Sequence, residues 1–162
     1  MNKQRIVLAV ASGFGMLATF LPWITKSFFG IKIQSISGTN MEGGIGWISF
    51  VFFALTLIIA FLGNRAKPLV KIKYLAASIG WTNVMFGYIV ALYAETIEYT
   101  HVSLGLALVI IAGLSVYFVS LYAKCFGNKE SVVTKFGFVM SLISLIIPLL
   151  LILLIFYIIY IL

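Results

Sequence analysis

Apolar residues gather into five long runs, at about 6–23, 47–63, 74–94, 102–126 and 136–162, separated by short polar gaps. Crossing the hydrocarbon core of a bilayer takes roughly 20 residues of helix, and each run meets or nears that length. The pattern predicts an all-α integral membrane protein in which residues 1–162 form a single transmembrane domain. Gly63-Asn64 and Gly127-Asn128 follow the second and fourth runs as helix stop signals. Pro68 stands in a gap, where no helical hydrogen bond is lost. The gaps after runs two, three and four are short, so consecutive helices are expected as antiparallel neighbours. Run five carries Pro148 near its middle and predicts one kinked helix, with a re-entrant hairpin as the alternative.

Charge gives the runs a direction. Lys3, Arg5, Arg65, Lys67, Lys71, Lys73, Lys124, Lys129 and Lys135 occupy every second gap, together with Glu130. The intervening gaps hold Lys26 and Lys32 with Glu42, Glu95 and Glu98. Basic loops stay in the cytoplasm, which predicts a five-span helical bundle with its N-terminus inside and its C-terminus outside. The expected location is the plasma (inner) membrane of a bacterium, as a multi-pass protein. Charged residues are 9% of the chain and hydrophobic residues 63%, whereas a soluble domain has roughly 25% charged residues. The net charge of +7 falls in gaps next to apolar runs. It therefore fits anionic lipid headgroups and not nucleic acid. The single cysteine, Cys125, excludes an internal disulfide and a cysteine-based metal site. The first run lacks a small-x-small cleavage site before Pro22-Trp23, so it is expected as a retained span with the indole at headgroup level.

Within lipid, helices associate where small residues let backbones approach. In the third run Ala76, Gly80, Asn83, Gly87 and Ala91 recur at steps of three and four, along one helical stripe. They predict a central helix, with the fifth run at the edge. Ala9 with Gly13, Ala11 with Gly15, and Gly105 with Ala112 and Ser115 offer shorter seams. Asn83 is either an interhelical hydrogen-bonding group or a contact on a solute pathway. No ionisable residue lies well inside any run, whereas ion-coupled carriers usually need one.

The first outer gap, about 24–46, alternates Phe29, Ile31 and Ile33 with Gly30, Lys32 and Gln34, a period of two that predicts a short β-hairpin-like loop. Ser37-Gly38-Thr39-Asn40 supplies turn chemistry. Trp23, Lys32, Thr39, Asn40 and Trp47 are the candidate partner contacts of this loop. Leu21-Pro22-Trp23, Ser37-Gly38-Thr39 and Gly46-Trp47 together resemble a pattern of small, uncharacterised bacterial multi-span membrane proteins. The resemblance covers about the first 65 residues. It implies a similar loop between two spans and carries no activity.

In the second outer gap Glu95, Glu98 and His101 are spaced by three, which on a continued helix would group them for a divalent cation. Such sites draw on several contributors, and the chain has one histidine, so a solvated acidic turn is the simpler reading. No catalytic residue and no cofactor is indicated. The expected role is an interaction or accessory subunit acting through helix packing and the first outer loop. The alternative is a channel or transporter component, as a homo-oligomer, with Asn83 beside Trp81-Thr82 on the pathway. A third reading is a membrane enzyme using Glu95, Glu98 and His101. The expected partners are the lipid bilayer and another membrane protein or a second copy, with no nucleic acid.

Overall fold

The computed structural model describes residues 1–29, 31–41, 44–69, 72–97 and 99–121. Helix α1, Lys3–Ala18, begins at Asn2, whose side-chain oxygen accepts the Gln4 backbone N–H at 2.9 Å. Such a cap satisfies a donor that the first turn cannot. Two strands follow, β1 (Pro22–Phe28) and β2 (Ile31–Ser37), then a single 3-10 turn at Gly38–Asn40. Helix α2 spans Ile45–Phe61 and ends before Gly63, whose φ of 72° suits the left-handed residue that commonly closes a helix. Helix α3 spans Lys73–Thr96, strand β3 Thr100–Val102, and helix α4 Leu104–Leu121. The strands form one antiparallel sheet in the order β2-β1-β3. Helix α3 packs most extensively on α4, α1 on both α4 and α2, and α2 on α3. The sheet caps one end of these helices, and Lys3, Arg65, Lys67 and Lys73 gather at the other.

Helices α1 and α2 bury polar residues among their apolar ones and turn large apolar residues outward. Helix α1 buries Gln4, Arg5, Ser12 and Gly15 with Leu8 and Ala18, while Ile6, Val10, Phe14 and Leu17 face outward. Helix α2 buries Ser49 and Thr56 and exposes Ile48, Val51, Leu55 and Ile58. A surface helix of a water-soluble protein has the opposite polarity. Two of the buried polar side chains, Gln4 and Arg5, tie elements together. Gln4 Nε2 donates to the carbonyls of Val119 (2.9 Å) and Ser120 (3.3 Å), and its Oε1 accepts the Leu69 N–H at 3.1 Å. Arg5 Nη1 donates to the Ala60 and Leu62 carbonyls at 3.0 and 2.6 Å, and Nε donates to the Lys67 carbonyl at 2.7 Å. A guanidinium there meets the negative end of the α2 dipole and carbonyls with no helical partner.

Small residues set the helix spacing. A Cβ added at Gly80 would lie 2.8 Å from the Gly113 carbonyl oxygen, and one at Gly113 would lie 2.8 Å from that of Gly80. Gly15 meets the buried Phe53 ring, and Gly87 lies under Ile110. Ala76, Gly80, Asn83 and Gly87 are buried in this seam; Ala91, farther along α3, is half-buried.

This architecture corrects the five-span all-α expectation. A three-stranded antiparallel sheet stands beside four helices, and among the described residues two helices, α3 and α4, are long and apolar enough to cross a membrane. Apolar runs overcount spans because they do not mark where helices stop. Helices α1 and α2 contain 16 and 17 residues, about 24–26 Å of helix at 1.5 Å per residue. That falls short of a hydrocarbon core of roughly 30 Å. The first run loses its end to β1, so Trp23 is a strand residue and not an interfacial helix end. Residues 122–126 of the fourth run, the whole fifth run with Pro148, Gly127-Asn128 and Cys125 lie outside the described residues.

The seam makes a matched pair of substitutions informative. Gly80→Val should lower stability by about 1–3 kcal/mol through overpacking. Gly13→Val, on a helical position with nothing within 4 Å of the added Cβ, should stay within about 0.5 kcal/mol. Thermal unfolding in mild detergent measures both.

Candidate partner-binding sheet

Trp23 fastens the sheet to the helices. Its side chain is fully buried, and its indole Nε1 donates to the Ala18 carbonyl at 3.0 Å, at the end of α1. Gly38 packs directly on the indole face, and Gly46, in the first turn of α2, packs on the Gly38–Thr39 backbone. Any side chain at Gly38 or Gly46 would collide with these neighbours. Backbone bonds complete the junction: Thr39 N–H donates to the Thr19 carbonyl at 3.1 Å, and Ser103 N–H to the Trp23 carbonyl at 2.8 Å. The Thr25 and Ser103 hydroxyls also hydrogen-bond to each other.

Two bulges shape the strands. Pro22 pairs with Ser37 and Ile24 with Ile36, which leaves Trp23 as an extra residue on β1. The bulge turns two consecutive side chains, Trp23 and Ile24, toward the core, which a regular strand cannot do. Farther out, Lys26 pairs with Gln34 and Ser27 with Lys32, so Ile33 is the extra residue on β2.

Beyond Ile24 the sheet leaves the helices. Residues 31–35 of β2 are all exposed, so among the described residues nothing covers either face of the distal half of this strand. At its tip Phe28 pairs with Ile31, leaving a two-residue connection that begins with Phe29. The Phe29 ring is 89% exposed, and Ile31 and Ile33 are 71% and 63% exposed. The Phe29 backbone has a φ of 47°, and Tyr99, at the entry to β3, has a φ of 64°. Non-glycine residues in this left-handed region cost roughly 1–2 kcal/mol each. Phe28 bridges both, with ring centroids 4.5 Å from Phe29 and 5.0 Å from Tyr99 in T-shaped contacts. Strain and exposed aromatic area concentrated at one tip are features of a binding surface.

The residues expected to contact a partner separate into two groups. Lys32 and Asn40 are exposed, Trp47 is half-exposed against Phe20 and Phe50, and Thr39 is half-buried. Trp23 is core. Phe28, Phe29, Ile31 and Tyr99 gather at the tip of the sheet and were not among the residues expected to contact a partner. Their signal in the sequence is an aromatic pair before Gly30, where Asn-Gly is the usual tight-turn choice. Of the candidate cation ligands, Glu95 ends α3 and His101 lies on β3 opposite Thr25, both exposed, while Glu98 lies outside the described residues. Among the described residues no three His, Cys, Asp or Glu side chains gather within reach of one metal ion. Asn83 is fully buried, and its Nδ2 donates to the Ile79 carbonyl at 3.2 Å. Its Oδ1 and the neighbouring Trp81 Nε1 have no partner among the described residues. Comparison with protein-family models, with curated proteins and with solved structures finds no match.

Two substitutions test the division between anchor and tip. Phe29→Asn should raise stability by up to about 1 kcal/mol, because asparagine tolerates the left-handed region and little ring burial is lost. Gly38→Ala should lower it by about 1–3 kcal/mol through collision with Trp23. Melting temperature reads both, and a red-shifted tryptophan emission should accompany the second alone.

Proposed function

We propose that this chain is an accessory or interaction protein of a bacterial plasma membrane, holding the distal half of its sheet out to a partner protein. The observation that carries the reading is the exposed outer end of the β1–β2 hairpin, with two strained aromatic residues at its tip and, among the described residues, nothing covering the distal half of β2. The contact with Phe28 offsets only part of the strain at Phe29; burial of that ring by a partner would contribute roughly 1.5–3 kcal/mol.

Lipid insertion is supported by the inverted polarity of α1 and α2 and by the two helices long and apolar enough to cross. Interfacial residues stand at suitable levels. Tyr74 and Tyr93 on α3 are 19 residues apart, about 29 Å along a helix, close to the hydrocarbon thickness. Phe20, Trp47 and Phe50 cluster at the sheet end, with ring centroids 5.6–6.2 Å apart. At the other end Arg65 lies over the Phe61 ring and Lys73 over that of Tyr74. This basic end suits the anionic cytoplasmic leaflet, and the sheet then faces the exterior. Asn83 sits among the glycines of the α3–α4 seam, which favours a packing role over a solute pathway.

A photo-crosslinking amino acid at position 29, in native membranes, should give a discrete protein adduct. The same group at Phe14, exposed on the outer face of α1, should give lipid adducts. Lipid adducts alone from position 29 would overturn the interaction reading.

A further inference from the structure

A sheet that binds a protein, as proposed above, also carries in its strand geometry the kind of segment it would take; the inference rests on that interaction reading. Strand β2 is an edge strand of seven residues, and among the described residues no further strand pairs with its outer side. Such an edge presents backbone donors and acceptors that accept an added strand. Cross-strand partners share a face of the sheet. Lys26, Phe28, Ile31 and Gln34 therefore lie on one face of the distal half, and Ser27 and Lys32 on the other. The three strands carry Lys26 and Lys32 and no carboxylate.

A second copy of this chain is a poor match for the edge. Antiparallel β2–β2 pairing would bring two Lys32 side chains into one sheet with nothing to neutralise them. A lysine on an edge strand discourages self-pairing. A strand that alternates acidic and apolar residues suits both faces at once. Its carboxylates would lie beside Lys32, and its apolar side chains beside Ile31 and Phe28.

We infer that β2 receives an extended, acidic-apolar segment of a partner protein as a fourth strand of the sheet, joined backbone to backbone, with carboxylates on the Lys32 face. The partner is thus recognised by its extended form and its alternating charge.

The test uses the full chain in a zwitterionic detergent and synthetic peptides of about eight residues, a common strand length. One alternates valine with glutamate, one valine with lysine, and a third is the glutamate peptide N-methylated at alternate residues. Amide NMR shifts confined to residues 31–37 are expected with the glutamate peptide and should weaken as salt is raised. The lysine peptide should bind roughly tenfold more weakly. Lys32→Glu should reverse the preference, and N-methylation on the paired edge should abolish the shifts. Equal binding of both charges, or indifference to N-methylation, overturns the inference. So does a Gln34→Cys disulfide dimer in membranes, which would place a second copy on the edge, or equivalent shifts from anionic vesicles without peptide. A protein adduct at position 29 with no peptide binding at β2 sinks this inference and leaves the interaction reading standing; lipid adducts alone at position 29 sink both.

Discussion

The contact between the Trp23 indole and the bare backbone of Gly38 determines where the sheet stands, and most of the sheet end depends on it. The indole reaches the last turn of α1 through its N–H, and Gly38 in turn receives Gly46 from α2. One side chain thus holds the end of one helix, a 3-10 turn and the start of another helix together. With β1 anchored at Trp23 and Ile24, β3 can pair along Ile24–Lys26 and bring α3 and α4 to the same cap. The outer part of the hairpin is left without support. Two tightly packed glycines at the base and two strained aromatics at the tip therefore belong to one arrangement, in which a rigid foot carries an exposed end.

The helical part obeys a different rule. Its inner faces combine small and polar residues with large apolar ones such as Leu8, Phe53 and Leu106, and its outer faces are apolar. Gly80 against Gly113 lets α3 and α4 meet at their backbones, where dispersion between many atoms adds to the apolar core of Val90, Leu106, Val109 and Val116. Gln4 and Arg5 serve helix ends and connections at the basic side by donating to their carbonyls.

Part of this was legible in the sequence. The period of two around Gly30 marks β2, the steps of three and four from Ala76 to Gly87 mark the α3 seam, and Gly63 marks the end of α2. The grouping of Leu21-Pro22-Trp23, Ser37-Gly38-Thr39 and Gly46-Trp47 also has a physical counterpart, since Trp23, Gly38 and Gly46 touch in sequence order. Their role as an anchor was hidden because tryptophan near an apolar run suggests an interface as readily as a core. Strand β1 was obscured by its bulge, which makes Trp23 and Ile24 both inward and erases the alternation a strand should show. Strand β3 has three residues, too few to carry a period. Arg5 was legible only as a charge, because its use as a cap on α2 depends on a partner 55 positions away.

The ties made by Gln4 and Arg5 have a consequence for how the chain is made. Arg5 finds its acceptors only once Leu62 and Lys67 exist, and Gln4 only after Val119 and Ser120 have been added. Until then the first helix carries a hydrated guanidinium and amide at its leading end, which resist transfer into an apolar phase. The first turn of α1 is thus locked in place only after the later helices have formed.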